Sequence, residues 1–253
     1  MTVAELNGIE IGYDDTGAGL PVLFTHGYQA SRAMWEPQRQ ALSSNNRIVT
    51  WDLRGHGDSG IPDDPSKYSH ELLMSDMVAL LDHLGIDETV LLGHSLGGYA
   101  SLYFYLDHPK RVKGLVLFGS GPGYRDAEAR GKWNDMAERF ASSVETKGLE
   151  ILKRASQEVS SANHRSATAL AHAARGMLAQ QDSRVMDAIA TIDVPTLVII
   201  GTEDKAFIGS SEYMAKKIPG AELVKIDGAG HAANMEKPDE FNAALSSFLS
   251  SVS

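Results

Sequence analysis

Apolar positions along this chain fall into short unbroken runs separated by helical patterns. Pro21-Val22-Leu23-Phe24-Thr25, Arg47-Ile48-Val49-Thr50-Trp51, Thr89 to Leu92 and Val112 to Phe118 each have the length of a strand. A run without polar alternation is the mark of a strand covered on both faces. Between the runs lie helical stretches: Arg32 to Ser43, Glu71 to Leu84 and Leu96 to Asp107. In the second, Leu73, Met77, Leu80, Leu81 and Leu84 recur at helical spacing. Ahead of them, Val3 to Asp14 reads as two short strands joined at Asn7-Gly8, a dipeptide suited to a tight hairpin. Repeated strand–helix alternation predicts an α/β fold, with a mostly parallel twisted sheet and helices on both faces.

The alternation stops at Gly121. From there to about Ala190 no run reads as a strand, and the stretches rich in Ala, Glu, Arg and Met read as helix. It resumes with Pro195 to Ile200, a helix near Glu212 to Lys217, a strand Glu222 to Ile226 and a last helix Pro238 to Leu249. The expected organisation is therefore one α/β core, residues 1–120 and 191–253, with a helical cap inserted over 121–190. A helical lobe with only a packing role is the plainer reading of that insert. Its place above the sheet end where such folds bind ligands favours a lid over substrate.

Composition narrows the function classes. At 253 residues the chain can bury a full core. A formal net charge of −10 disfavours nucleic acid and anionic membranes, which basic patches hold. No apolar stretch reaches the ~18 residues of a spanning helix, and the first residues lack a signal-peptide pattern, so a cytoplasmic protein is expected. Without cysteine, thiolate zinc sites, disulfides and a cysteine nucleophile are excluded. The histidines and acids show no metal-ligand spacing, so neither metal nor organic cofactor is expected.

The chemistry concentrates at Gly93-His94-Ser95-Leu96-Gly97-Gly98, between a predicted strand and a predicted helix. A G-x-S-x-G at such a turn needs small residues around the serine, because backbones approach closely there. It lifts the serine hydroxyl off the sheet and sets it at a helix N-terminus, where negative charge is favoured. A bare G-x-S-x-G is weak; in this context it points to Ser95 as a nucleophile. Of nine histidines, His231 alone follows the last strand, in the flexible Gly228-Ala229-Gly230-His231, and is the expected base. The order serine, acid, histidine then requires an acid after an intervening strand. Asp204, in Gly201-Thr202-Glu203-Asp204, has the usual spacing, with Glu203 as the alternative. The expected oxyanion donors are the backbone amides of Leu96, next to the nucleophile, and Tyr28, in the loop after Pro21–Thr25. The ring of His26 is expected to brace that loop rather than join the chemistry.

Taken together, His26-Gly27, Asp52-Leu53-Arg54-Gly55-His56-Gly57-Asp58-Ser59, the Ser95 turn, Asp204 and Gly230-His231 resemble the α/β-hydrolase superfamily, in its capped esterase, lactonase and C–C hydrolase branch. The chain departs from many such relatives in lacking a proline shortly after the acid, where it reads Lys205-Ala206-Phe207-Ile208. The resemblance implies a choice of reaction. Dehalogenases and epoxide hydrolases of this superfamily carry Asp at the nucleophile position, against Ser95. C–C hydrolases often carry Asn before the serine, where His94 stands here as in many esterases. The expectation is thus a serine hydrolase of a small carboxylic ester, acting through an acyl-enzyme on Ser95. A lactonase or C–C hydrolase with the same triad, or a ligand-sensing receptor on this scaffold, are the alternatives. In the insert, Trp133, Met136 and Phe140 fall on one helical face. With Met177, and Met235 from the core side, they are expected to wall the substrate pocket.

Overall fold

The structure is a computed structural model and describes residues 2–252. Eight strands form one sheet: β1 (Thr2–Leu6), β2 (Ile9–Thr16), β3 (Leu20–Thr25), β4 (Asn46–Trp51), β5 (Thr89–His94), β6 (Val112–Phe118), β7 (Thr196–Gly201) and β8 (Glu222–Ile226). Their order across the sheet is β1-β2-β4-β3-β5-β6-β7-β8. Asn7 and Gly8, both at positive φ, turn the β1–β2 hairpin with Leu6 opposite Ile9. β2 pairs antiparallel with β4, and every other neighbouring pair from β4 to β8 is parallel.

Ten α-helices accompany the sheet among the described residues. They are α1 (Glu36–Leu42), α2 (His70–His83), α3 (Leu96–Asp107), α4 (Ala127–Lys147), α5 (Gln157–Ser160), α6 (Ala167–Ala173), α7 (Arg184–Ala188), α8 (Ile208–Lys217), α9 (Ala233–Glu236) and α10 (Pro238–Val252). α2 starts one residue earlier than its apolar spacing suggests, because the Ser69 side chain accepts from the Leu72 amide at 3.2 Å.

The unbroken apolar runs have a simple cause. In β3, Val22 and Phe24 pack to one side of the sheet and Leu23 to the other. In β6, Val116 and Phe118 oppose Leu115 and Leu117 in the same way. One side is covered by α2, α3 and α8, through residues such as Leu73, Leu80, Phe104 and Met214. The other is covered by α1, α9 and α10, through Leu42, Ala233, Phe241 and Leu245. Both faces of the central strands are therefore dry, and a polar residue at either phase would be buried without partners.

Between β6 and β7 the described residues form no strand, only α4 to α7, 3₁₀ turns and one π-turn at Ala174–Leu178, joined by loops. This insertion has a small core of its own around Ala141, Val144, Leu170, Ala171 and Ala174. No helix among the described residues is long and apolar enough to cross a membrane.

Candidate active site

β5 passes directly into α3 through Ser95, whose backbone sits at φ 52°, ψ −114°. For a residue with a Cβ this is a strained region, held only where the surroundings impose it. They do so by close packing of backbone. A Cβ on Gly93 would lie 2.1 Å from the Gly97 carbonyl oxygen, and one on Gly97 would lie 2.2 Å from that of Thr25. The Ser95 amide donates to the Phe118 carbonyl at 2.9 Å, and the Ser120 hydroxyl donates to the Ser95 carbonyl at 2.7 Å. Leu96 is the first residue of α3, so its amide has no acceptor within the helix. The Tyr28 amide, in the loop after β3, also donates to no acceptor among the described residues.

The loops after β7 and β8 are laced together by backbone. Thr202 N–H donates to the Ile226 carbonyl at 3.0 Å and Glu203 N–H to the Ala229 carbonyl at 2.9 Å. This brings the buried Asp204 carboxylate to 2.6 Å from His231 Nδ1. Glu203 points to solvent instead. The missing proline does not open the loop: the amides of Phe207 and Ile208 close it onto the Asp204 carbonyl. Phe207 then stacks on the His231 ring, with centroids 5.0 Å apart and planes 19° from parallel. Gly119, at φ 53°, leaves room for the pair, since a Cβ there would be 3.2 Å from the imidazole. His94 donates from Nε2 to the His231 carbonyl at 3.0 Å and so anchors the histidine loop from below.

The remaining histidines of the site are structural donors and acceptors. His26 Nδ1 donates to the Gly27 carbonyl at 2.7 Å, while Nε2 accepts from the Leu53 amide at 3.0 Å. Burial pushes its pKa down to about 3, so the ring is neutral and braces the β3 and β4 loops as expected. His56 and His94 are likewise held well below the ordinary imidazole value by burial. Gln29, the residue after Tyr28, has φ 63° and is gripped through both its backbone N–H and its carbonyl. Its N–H donates to His56 Nε2 at 3.2 Å, and its carbonyl accepts from His164 Nε2 at 2.7 Å. His164 lies in the open loop between α5 and α6, where it can reach back to the core. The Asp52–Ser59 motif is similarly structural: Arg54 forks onto Asp76 through two bonds of 2.7 Å, both side chains buried.

Ser95, Leu96, Tyr28, Asp204 and His231 all line one cavity of about 560 Å³. Its far wall is the insertion, where Trp133, Met136 and Phe140 line it. Met177 and Met235 do not line it. Met177 is fully buried against the sheet core, its carbonyl accepting from His70 Nε2 at 2.7 Å. The cause is the π-turn at Ala174–Leu178, whose extra residue rotates the helical phase and brings Leu178 to the cavity instead. Met235 lies on α9 and packs against the opposite face of the sheet. The periodicity of the insertion gave no sign of Glu158 or Gln180, which also line the cavity, as does Tyr99 of α3. No group of residues able to hold a metal ion occurs among the described residues.

Comparison with known proteins agrees with this architecture. The chain is 29% identical to 3-oxoadipate enol-lactonase 1 of Acinetobacter baylyi over 91% of its length and 89% of that protein. It is 26% identical to a putative 2-succinyl-6-hydroxy-2,4-cyclohexadiene-1-carboxylate synthase of Bacillus subtilis, over 100% of this chain and 99% of that one. Among solved structures, a thermophilic esterase from Thermogutta terrifontis superposes with a TM-score of 0.81 at 32% identity, covering 96% of this chain and 94% of the esterase. A model of the alpha/beta hydrolase family matches residues 22–244. With the strand order, the serine turn and that match in agreement, the chain belongs to the alpha/beta hydrolase family.

Proposed function

We propose that the protein is a serine hydrolase of small carboxylic esters, with Ser95 as nucleophile, His231 as base and Asp204 as the group that orients the base. One observation carries the reading: the strained Ser95 turn, the Asp204–His231 pair at 2.6 Å and two unengaged amides face the same mostly apolar cavity. Ser95 Oγ attacks the acyl carbon as His231 takes its proton. The oxyanion forms against the amides of Tyr28 and Leu96, which are in place before the charge appears. His231 returns the proton to the departing alcohol, leaving an acyl group on Ser95. A water activated by the same imidazole then attacks, and the acid leaves. Asp204 accepts from Nδ1–H, which keeps Nε2 free to receive the serine proton. In this reading residues 121–190 act as the cap and supply the substrate-facing wall from Trp133, Met136 and Phe140.

The relationship to an enol-lactonase over nine-tenths of the chain supports lactones, which are cyclic esters, as a second substrate form. A panel of p-nitrophenyl esters of rising chain length, with a set of lactones, tests both. Hydrolysis should appear in the wild type and vanish in Ser95→Ala, and a fluorophosphonate should label Ser95 alone. Labelling without turnover on any ester or lactone would reassign the protein as a ligand-binding member of the fold. Labelling at another residue would overturn the choice of nucleophile.

A further inference from the structure

The cavity contains a polar feature that ester cleavage does not use. Glu158, on α5 of the insertion, lines it and is 3% exposed. One carboxylate oxygen, Oε1, accepts from the Ser156 hydroxyl at 2.6 Å. The other, Oε2, is buried with no hydrogen-bond partner. A buried, unpartnered carboxylate oxygen is costly enough that its retention calls for a partner. The charge balance of the walls points the same way. Asp204 is the cavity's other charged lining residue among those described, and it is engaged by His231. Neither lysine nor arginine lines the cavity, so nothing there would neutralise a substrate carboxylate. Gln180 adds a second buried acceptor, its Oε1 without a donor, on a backbone fixed by reciprocal bonds with Asn134 of 2.8 and 2.9 Å.

We propose that Glu158 forms a subsite for a protonated amine, so that the preferred substrates are esters or lactones carrying an ammonium group and those carrying a carboxylate are rejected. The inference rests on this cavity being the ester site. A protonated amine supplies both the N–H donors that Oε2 lacks and the charge that its carboxylate needs. Charge-assisted bonds of this kind are stronger than neutral ones, and a like-charged ligand would be buried beside an unpaired carboxylate. Selectivity therefore comes from attraction of one class and repulsion of the other.

The test is calorimetric binding of n-hexylammonium, 1-hexanol and hexanoate to the wild type and to Glu158→Gln, which keeps the shape and the Ser156 contact. The wild type should bind hexylammonium about tenfold or more tightly than hexanol, and hexanoate most weakly. In Glu158→Gln the three should converge. The same order should appear in kcat/KM for p-nitrophenyl esters of ω-amino acids against their unsubstituted and dicarboxylic half-ester counterparts. Equal binding of hexylammonium and hexanol by the wild type, or a preference that survives in Glu158→Gln, overturns the subsite. Should Glu158→Gln not fold, the wild-type ranking alone decides. An amine preference in a protein that hydrolyses no ester supports the subsite and counts only against the esterase reading.

Discussion

The two walls of the cavity are made of different material. On the sheet side, large side chains such as Phe24, Trp35, Trp51, Phe118 and Phe241 are wholly buried around the strands that carry Ser95, Asp204 and His231. On the insertion side no aromatic ring is wholly buried, and alanines such as Ala137, Ala141, Ala171, Ala173 and Ala174 share the interior with aliphatic residues such as Val144 and Leu170. At ~25 cal/mol per Å² of apolar surface, an alanine contributes far less than a phenylalanine. Exposed ion pairs tie the insertion's surface, Arg175 bridging Glu138 at 2.8 Å and Glu145 at 2.7 Å, and such pairs add little. In the proposed reading, groups that hold reacting atoms in place thus stand on the heavily packed half, and groups that shape the substrate stand on the other. Local opening is expected where apolar burial is least.

Changes on the sheet side should damage rate or fold, and changes on the insertion side should tune selectivity. The largest effect is expected from Asp204→Asn, which fits the same space but favours the wrong imidazole tautomer; turnover should fall by about 10⁴-fold with little change in melting temperature. A loss below tenfold in steady-state kinetics would mean that Asp204 does not orient the base. Next is Gly97→Ala, whose new methyl would meet the Thr25 carbonyl at 2.2 Å; denaturant unfolding should show a loss of more than ~3 kcal/mol, or no folded protein.

A third effect is read in pH. His26, His56 and His94 are kept neutral by burial, so the unfolded chain binds more protons than the folded one below the ordinary imidazole pKa. Their contribution is complete above about pH 6.5 and declines as pH falls below it, for His26 towards about 3, at roughly 1.4 kcal/mol per pH unit for each histidine. Asp52 and Asp76, raised by burial, act with the opposite sign in acid. The histidine part is therefore measured as the flattening of the stability slope between pH 7.5 and 5 in His26→Asn, and an unchanged slope would contradict it. The smallest effects belong to the insertion. Met136→Ala should move the preferred ester chain length while lowering kcat by less than about tenfold. Gly131→Ala, where nothing lies within 4 Å of the added methyl, should stabilise α4 by about 0.5–1 kcal/mol. If Gly131→Ala destabilised the protein as Gly97→Ala is expected to, the contrast between the walls would be lost.

The same division governs how much could be read from the chain itself. α3 and β6 begin and end where their apolar patterns do, since a strand buried on both faces and its following helix are set by local sequence. The proximity of Asp204 to His231 was legible because each follows a strand in a small-residue loop. Sheet order was not, because nothing local says that β2 lies beside β4. Met177 was expected at the cavity beside the Trp133–Phe140 face, and no marker residue in the sequence announces the π-turn in which it lies. Glu158 carries no pattern at all: a lone acid on a four-residue helix reads as a solvated charge until the fold encloses it.

The double grip on Gln29 sets a limit on modularity. His56 comes from the core and His164 from the insertion, yet both hold the backbone of one residue beside the amide of Tyr28. His164 also accepts from the Gly57 amide, and its neighbour Arg165 donates to the Gly57 and Asp58 carbonyls at 3.2 and 3.1 Å. A chimaera that exchanged residues 121–190 for a relative's would thus sever the core loop from its far support. Only a donor segment bringing an imidazole and a guanidinium to these same carbonyls would leave Gln29 in its left-handed conformation. The insertion has a small core of its own, but its inheritance is tied to the loop it packs on.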